Sequence, residues 1–397
     1  MLKCEHQSQA HYSSRLQPRP DTIRKIVLVA HNLRSAGGLS VGQNIVATLP
    51  QIAPMHQYLM IVPEGCGYQP FTGRTKVEVY ECRKMSLLSL FFWERVALRK
   101  MVLGFKPDWL WALGNRSLIN PHCSQSLLLH NPHRVYPTDA ARPWRESIFK
   151  WLSDAELRRG LSSVSRLYCQ TETMRHRSSE VLKYPYDRIG ICPNAFSPLI
   201  QISRDWPAEL ARFRGNFILF ALTRYYPHKN LEIIVETFSR YRDQLKNIVC
   251  VLTISKDQGS GALRLINRIH AESLDDQIVC IGAIPQSRLG EFYHAADVMI
   301  LPTLLESFSG TYLEAMQMDT PILTSDRDFA HEVCGKAAVY VDPFSPEDLK
   351  KGILELKVNH SLRAGLIVNG RTRLEQQART WPAILRDVLE QEGIEHE

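Results

Sequence analysis

Four charged residues in the second half of the chain stand where they could do chemistry on an anion. In Thr223-Arg224-Tyr225-Tyr226-Pro227-His228-Lys229-Asn230, two cations follow an apolar run and open a helical pattern. Together they suit a diphosphate, since Arg offers a fork of N–H donors and Lys a compact point charge. Farther on, Leu304-Leu305-Glu306-Ser307-Phe308-Ser309-Gly310-Thr311-Tyr312-Leu313-Glu314 carries two carboxylates with the small residues Ser307, Ser309 and Gly310 between them. A strand that ends in such a loop and then opens a helix aims free backbone N–H groups at whatever lies above the sheet. Those donors and the helix dipole favour a phosphate. Glu314, about one turn into the helix, can accept hydrogen bonds from sugar hydroxyls. Taken alone, either cation reads as a solvated charge and the two glutamates as an ordinary helical pair. Their joint position at strand ends of one sheet points to a site.

The elements that must position these groups are legible as apolar runs. Those of the first half are Lys25–His31, Gln57–Pro63, Lys76–Cys82, Trp109–Gly114, Gln125–His130, Arg166–Thr171 and Arg188–Pro193. Those of the second half are Phe217–Thr223, Asn247–Ser255, Gln277–Gly282, Val298–Thr303, Pro321–Asp326 and Ala337–Asp342. Helical patterns such as Lys229–Arg242, Gln286–Ala296 and Pro346–Leu356 separate many of them. Continuous apolar strands alternating with helices predict parallel sheets covered on both faces, an α/β protein. A polar break at Phe196–Asn216, with Pro198 and Pro207, predicts a junction between two such sheets. The expected layout is a mobile tail at 1–22, a first domain at 23–196 and a second at 197–377. Ligands of open parallel sheets bind at the carboxyl ends of the strands, here in a cleft between the two.

Composition narrows the classes. A chain of 397 residues, 44% hydrophobic, exceeds one core and fits two or three domains. The 48 Lys and Arg against 41 Asp and Glu leave +7, a mild excess suited to anionic ligands and too small to argue for nucleic acid. The basic aromatic stretch Arg142–Arg177 is interrupted by Glu146, Asp154, Glu156 and Glu172, so it reads as solvated helices. No apolar run approaches the roughly 20 residues of a membrane span, and the polar start has no signal-peptide core. Nine cysteines without a C-x-x-C pair, three of them (Cys192, Cys250, Cys280) inside apolar runs, predict reduced thiols of a cytoplasmic protein rather than disulfides or a zinc site.

At these residues the second half resembles the donor-binding domain of the family-4 retaining glycosyltransferases (glycosyl transferases group 1), which have the GT-B fold. The order matches: Arg224 and Lys229, then "IGAIPQSRLGEFYHAADVMILPT", Glu306-x7-Glu314, "TPILTSD" and "VYVDPFSPEDL". The resemblance implies two Rossmann-like doubly wound parallel-sheet domains facing a cleft. It implies that Arg224 and Lys229 bind the donor diphosphate, Glu306 faces the sugar and Glu314 holds the ribose. Backbone amides of Ser307, Phe308, Ser309 and Gly310 would touch the phosphates. The family usually has glycine where Ser307, Ser309 and Asp319 stand. The serines are small enough, with Gly310 to relieve the turn, whereas Asp319 takes a helix end that favours glycine.

The first half is a weaker match. After its first strand, Gly37-Gly38 stands at a helix start, where the family uses a glycine pair beside the donor phosphate. His130, at the end of "LLLHNPH", takes the place of a histidine that in the family contacts the donor sugar; His133 competes with it. "ICPNAF" is similar to the family's segment before the linker, and "RTWPAILRDVL" to a last helix crossing back to the first domain over 378–397, with Thr380 as cap. Asp326-Arg327-Asp328 has the form of a metal-binding D-x-D but the place of a loop and helix start. Finally, Met85–Leu103 is rich in large apolar side chains, and Arg83 to Lys106 holds six cations against Glu94 alone. That pattern fits either an ordinary domain helix or one lying on an anionic membrane.

The sequence therefore predicts a retaining, metal-independent glycosyltransferase with no cofactor. It would move a sugar from a nucleotide-sugar to a saccharide or lipid-linked acceptor, as in assembly of bacterial surface polysaccharides, on the inner face of the membrane. Two readings remain beside it: an inactive homologue that binds nucleotide-sugar, and an epimerase or hydrolase on the same fold.

Overall fold

The computed structural model describes residues 23–69, 76–136, 154–195, 200–377 and 379–397. The stretch at 1–22, residues 142–153 of the basic aromatic segment and residues 196–199 of the expected junction lie outside them. Seven strands form one sheet: β1 (Lys25–Val29), β2 (Gln57–Pro63), β3 (Lys76–Cys82), β4 (Trp109–Ala112), β5 (Ser124–Leu129), β6 (Arg166–Cys169) and β7 (Ile189–Ile191), in the order β3-β2-β1-β4-β5-β6-β7. A second sheet holds β8 (Phe217–Ala221), β9 (Ile248–Leu252), β10 (Ile278–Cys280), β11 (Val298–Leu301), β12 (Ile322–Ser325) and β13 (Ala338–Val341), in the order β10-β9-β8-β11-β12-β13. Pairing is parallel from β3 through β5 and across the whole second sheet. Every strand falls on an apolar run read from the sequence. Most end a little earlier, because the last residues of each run turn out of the ladder into the loops that matter below.

Burial on both faces explains why the strands are apolar throughout. In β8, Phe217, Leu219 and Ala221 enter one core while Ile218 and Phe220 enter another; β9 and β11 alternate in the same way. Successive side chains of a strand point to opposite faces, so a strand covered on both sides has no polar position to spare. The edge strand β3 differs, with Glu78, Val79, Tyr80 and Glu81 exposed. In each sheet the order reverses beside its first strand, between β1 and β4 and between β8 and β11. The carboxyl ends at such a reversal form the crevice where open α/β sheets take ligands.

By compactness the chain forms two units, one drawn from 1–128, 159–167 and 382–397, the other from 129–158 and 168–381. The terminal helix Trp381–Glu392 packs in the first unit, where Glu392 Oε1 accepts a hydrogen bond of 2.7 Å from the Ser126 hydroxyl. The apolar stretch at 85–103 is not one regular helix. A π-helical turn, Glu94–Leu98, separates the helices Leu87–Trp93 and Arg99–Phe105. Among the described residues no helix is long and apolar enough to cross a membrane.

Candidate functional site

The loops at the carboxyl ends of β8, β11 and β13 are tied together by one residue. Asn230 takes a left-handed conformation (φ 55°), which Asn tolerates better than most side chains. Its amide donates to the carbonyls of Pro302, at 3.1 Å, and Pro343, at 2.7 Å. The His228 carbonyl adds a second tie, accepting from Leu304 N at 2.7 Å and Thr303 Oγ1 at 3.0 Å. Residues 77 positions apart thus meet: the Lys229 ammonium donates to Glu306 Oε1, and both side chains are largely buried. This ion pair is the charged centre of the switch point between β8 and β11.

Arg224 lies exposed in the loop after β8, and its guanidinium makes no hydrogen bond or ion pair among the described residues. Its charge reaches Asp257, whose carboxyl is held below its ordinary range chiefly by the Ser255 hydroxyl and in lesser part by Arg224. Glu314 lies in the helix Gly310–Gln317, where Tyr293 donates its hydroxyl to Oε2 at 3.2 Å. Burial raises the Glu314 carboxyl above the usual 4.5 and outweighs the Tyr293 hydrogen bond, which acts the other way. Sequence reasoning missed Tyr293 and Asn230. Tyr293 reads as one more apolar position of its helix, and only the left-handed tolerance of Asn hinted at the other.

The serines at glycine positions have their own partners. Ser307 is buried, its hydroxyl donating to Gln170 Oε1 at 2.7 Å, and its carbonyl accepts from Thr171 Oγ1 at 3.4 Å. The Ser309 hydroxyl turns to Thr311 Oγ1 at 2.7 Å rather than capping the helix, so it does not occupy the N–H groups of the first turn. The expectation that Gly310 relieves the turn is corrected: Gly310 is the first helical residue and has no positive φ. Phe308 is partly buried between the serines. Asp319 does adopt the left-handed conformation (φ 53°), and its carboxylate receives two N–H groups from Arg371, at 2.7 and 2.5 Å.

Gly37 and Gly38 lie in the first turn of the helix Ala36–Ile52, whose N-cap Ser35 makes no side-chain cap; a side chain at Gly37 would meet open space. His130 follows β5, and burial pushes its imidazole down to about 4, so it is neutral at physiological pH. Its competitor His133 lies with its ring 5.2 Å from that of His228, which stacks on Tyr226 at 5.4 Å. Hence His133 reaches the loop that carries Lys229. Asp326 and Asp328 form a loop and a helix start, Asp326 bonded to His331 at 2.7 Å and Asp328 to Arg177 Nε at 2.9 Å and Tyr136 at 3.1 Å.

This parallel sheet sets a cation–carboxylate pair at its switch point with an uncapped helix start beside it, an arrangement that suits an anionic ligand. Residues 203–373 match the family described as glycosyl transferases group 1. Mannosylfructose-phosphate synthase of Agrobacterium fabrum is 26% identical over 208 residues, 50% of this chain and 45% of that protein. O-antigen chain mannosyltransferase RfbU of Salmonella typhimurium is 26% identical over 145 residues, 36% and 39% of the two chains. The matched parts therefore span less than half of either relative. The fold extends farther: Anabaena HepE, solved in complex with UDP and glucose, superposes with a TM-score of 0.69 at 14% identity, over 93% of this chain and 99% of that one. The chain has the GT-B fold, two Rossmann-like α/β sheets.

Proposed function

We propose that the chain is a retaining glycosyltransferase that moves a sugar from a nucleotide-sugar to an acceptor hydroxyl without a metal or cofactor. The observation that carries this reading is the Lys229–Glu306 pair at the β8/β11 switch point. Before donor binds, each partner neutralises the other. A diphosphate drawn to Lys229 and the exposed Arg224 would free Glu306 to accept bonds from the sugar's hydroxyls. Glu314 would hold the ribose, and amides at 307–310 the phosphates. Breaking the bond between the anomeric carbon and the phosphate oxygen develops negative charge on the diphosphate, which fixed cations and N–H dipoles stabilise most. The acceptor oxygen attacks from the same face, its proton passing to the departing phosphate oxygen, so no separate base is needed. His130, neutral and at a strand end, is suited to a hydrogen bond with the sugar.

The relatives' printed names, an O-antigen mannosyltransferase among them, support a saccharide or lipid-linked acceptor and a role in surface polysaccharide assembly. HepE's bound UDP supports a uridine donor as the first to try. The exposed apolar face at 88–96 supports a peripheral site on the inner face of a membrane. Titration with UDP-, GDP- and ADP-sugars, followed by nucleotide release with and without saccharide acceptors, tests the reading. Acceptor-dependent release is expected. Binding without turnover under any acceptor would establish the inactive homologue, and release without acceptor a hydrolase.

A further inference from the structure

A second charged centre lies wholly within the first unit, at the other switch point. His31 stands two residues past the end of β1 and is 4% exposed; its Nε2 bonds Glu94 Oε1 at 2.9 Å. Arg116, from the loop after β4, reaches the other oxygen, Oε2, at 2.8 Å. The three residues come from separate stretches and meet at the carboxyl edge between β1 and β4, where the strand order reverses. Asn32 fastens the same edge, donating to the Gly114 carbonyl at 2.7 Å. Glu94 is the first residue of the π-helical turn. Such insertions are rare, interrupt a regular helix and cluster at functional sites. Here the extra residue falls where it turns the one carboxylate of an apolar, basic stretch toward the sheet edge.

We propose that Glu94, held between His31 and Arg116, binds the hydroxyls of the saccharide acceptor, a role that rests on the glycosyl-transfer reading above. The Glu94 and Arg116 side chains keep 13% and 29% of their surface open to an approaching ligand. The carboxylate has acceptor lone pairs beyond those used by His31 and Arg116, as a pair of neighbouring sugar hydroxyls needs. His31 is a positioning residue: buried behind Glu94 and packed on the Trp93 ring at 5.3 Å, it fixes the carboxylate's orientation.

The test uses the full chain and a panel of free methyl glycosides and inositol phosphates as acceptor probes, with and without UDP. Saturation-transfer NMR measures their binding directly, and acceptor KM is measured with whichever nucleotide-sugar turns over. Glu94→Gln is expected to weaken acceptor binding about tenfold to a hundredfold, the effect of losing a charged hydrogen-bond partner, with donor affinity unchanged. Should that variant melt well below the wild type, Arg116→Lys serves in its place, keeping the charge but not the fork; it is expected to raise acceptor KM without changing donor KM. An acceptor KM unmoved in a folded variant would overturn the proposal, as would acceptor binding lost only together with donor binding. A chain that binds glycosides through Glu94 but never transfers sugar would keep this site and discard the transferase reading.

Discussion

The Lys229 ammonium is held by a carboxylate, Glu306, that belongs to a different strand-end loop. Each residue is therefore the other's counter-charge, and their substitutions should not add. Removing one leaves a largely buried charge unpaired, whereas removing both leaves none. Lys229→Ala and Glu306→Ala are each expected to lose about 1–2 kcal/mol, the penalty of an unsatisfied buried group. The double variant is expected to lose no more than either. Urea unfolding of the four proteins checks this, and strictly additive losses would show the pair to be uncoupled. In transfer assays Lys229→Ala is expected to lower kcat about 100- to 1000-fold, the effect of deleting one charge-stabilising donor.

Glu314 opposes stability to function. Burial holds its folded-state pKa above 4.5, so the folded chain binds this proton more tightly than the unfolded one. The group's contribution to stability therefore rises as pH falls through the folded value toward 4.5, and is unfavourable at neutral pH. Glu314→Gln removes the buried charge, so its Tm at pH 7 is expected to equal or exceed that of the wild type, and the difference to shrink near pH 4.5. The same change is expected to weaken nucleotide binding about tenfold, the cost of replacing a charged acceptor by a neutral one. A nucleotide lacking both ribose hydroxyls should bind the two proteins alike. A preserved preference for the intact ribose in Glu314→Gln would remove Glu314 from that contact.

Most of the strands were legible because they are buried on two faces and must be apolar, so the sequence pattern and the fold express one constraint; the exposed edge strand β3 is the exception. The Lys229–Glu306 neighbourhood was legible for a related reason: strand ends in one parallel sheet share an edge. What composition and spacing could not carry was side-chain pairing across long separations. Nothing near Ser307 announces Gln170, and His31 and Arg116 flank unrelated runs. The π turn was hidden as well, since one extra residue in a helix leaves the apolar pattern of Met85–Leu103 intact and changes only which way Glu94 points. At Gly310 the misreading arose from treating glycine as a turn residue where the chain uses it as the first residue of a helix.

Asp319 shows a backbone requirement offset by a side chain. Its φ of 53° is the conformation glycine adopts freely, and left-handed backbone costs other residues about 1–2 kcal/mol. Asp is among the side chains that bear it best, and here its carboxylate also engages the Arg371 fork. That pair is exposed and contributes little. Asp319→Ala is expected to destabilise by about 1 kcal/mol, because it keeps the backbone strain and loses both compensations. Asp319→Gly is expected to stay within about 0.5 kcal/mol of the wild type, relief of strain offsetting the lost pair. Thermal melts that rank Ala above Gly would contradict the backbone account.

The helix and π turn over 87–98 present Leu88, Phe92 and Val96 at 74, 63 and 67% exposure, a spacing of four that keeps them on neighbouring turns. Trp93, by contrast, is turned inward, near His31 and stacked on Tyr80 at 6.2 Å. Arg95 lies over the Phe91 ring, and Arg83, Lys84, Arg99, Lys100 and Lys106 flank the apolar face. Large apolar side chains held in water beside a cluster of cations are the arrangement that partitions into an anionic lipid surface, where each cation adds about 1 kcal/mol. Replacing Leu88, Phe92 and Val96 together by Ser is expected to weaken binding to phosphatidylglycerol vesicles at least about tenfold, since each loses apolar area that the lipid would cover. Because the three are exposed, Tm and nucleotide affinity should change little. Trp93→Ser, on the same helix but packed inward, is expected to lower Tm instead. Vesicle co-sedimentation at low and high salt reads the outcome: undiminished binding of the triple variant would exclude this face from the membrane, and salt-insensitive binding would remove the cations from the account.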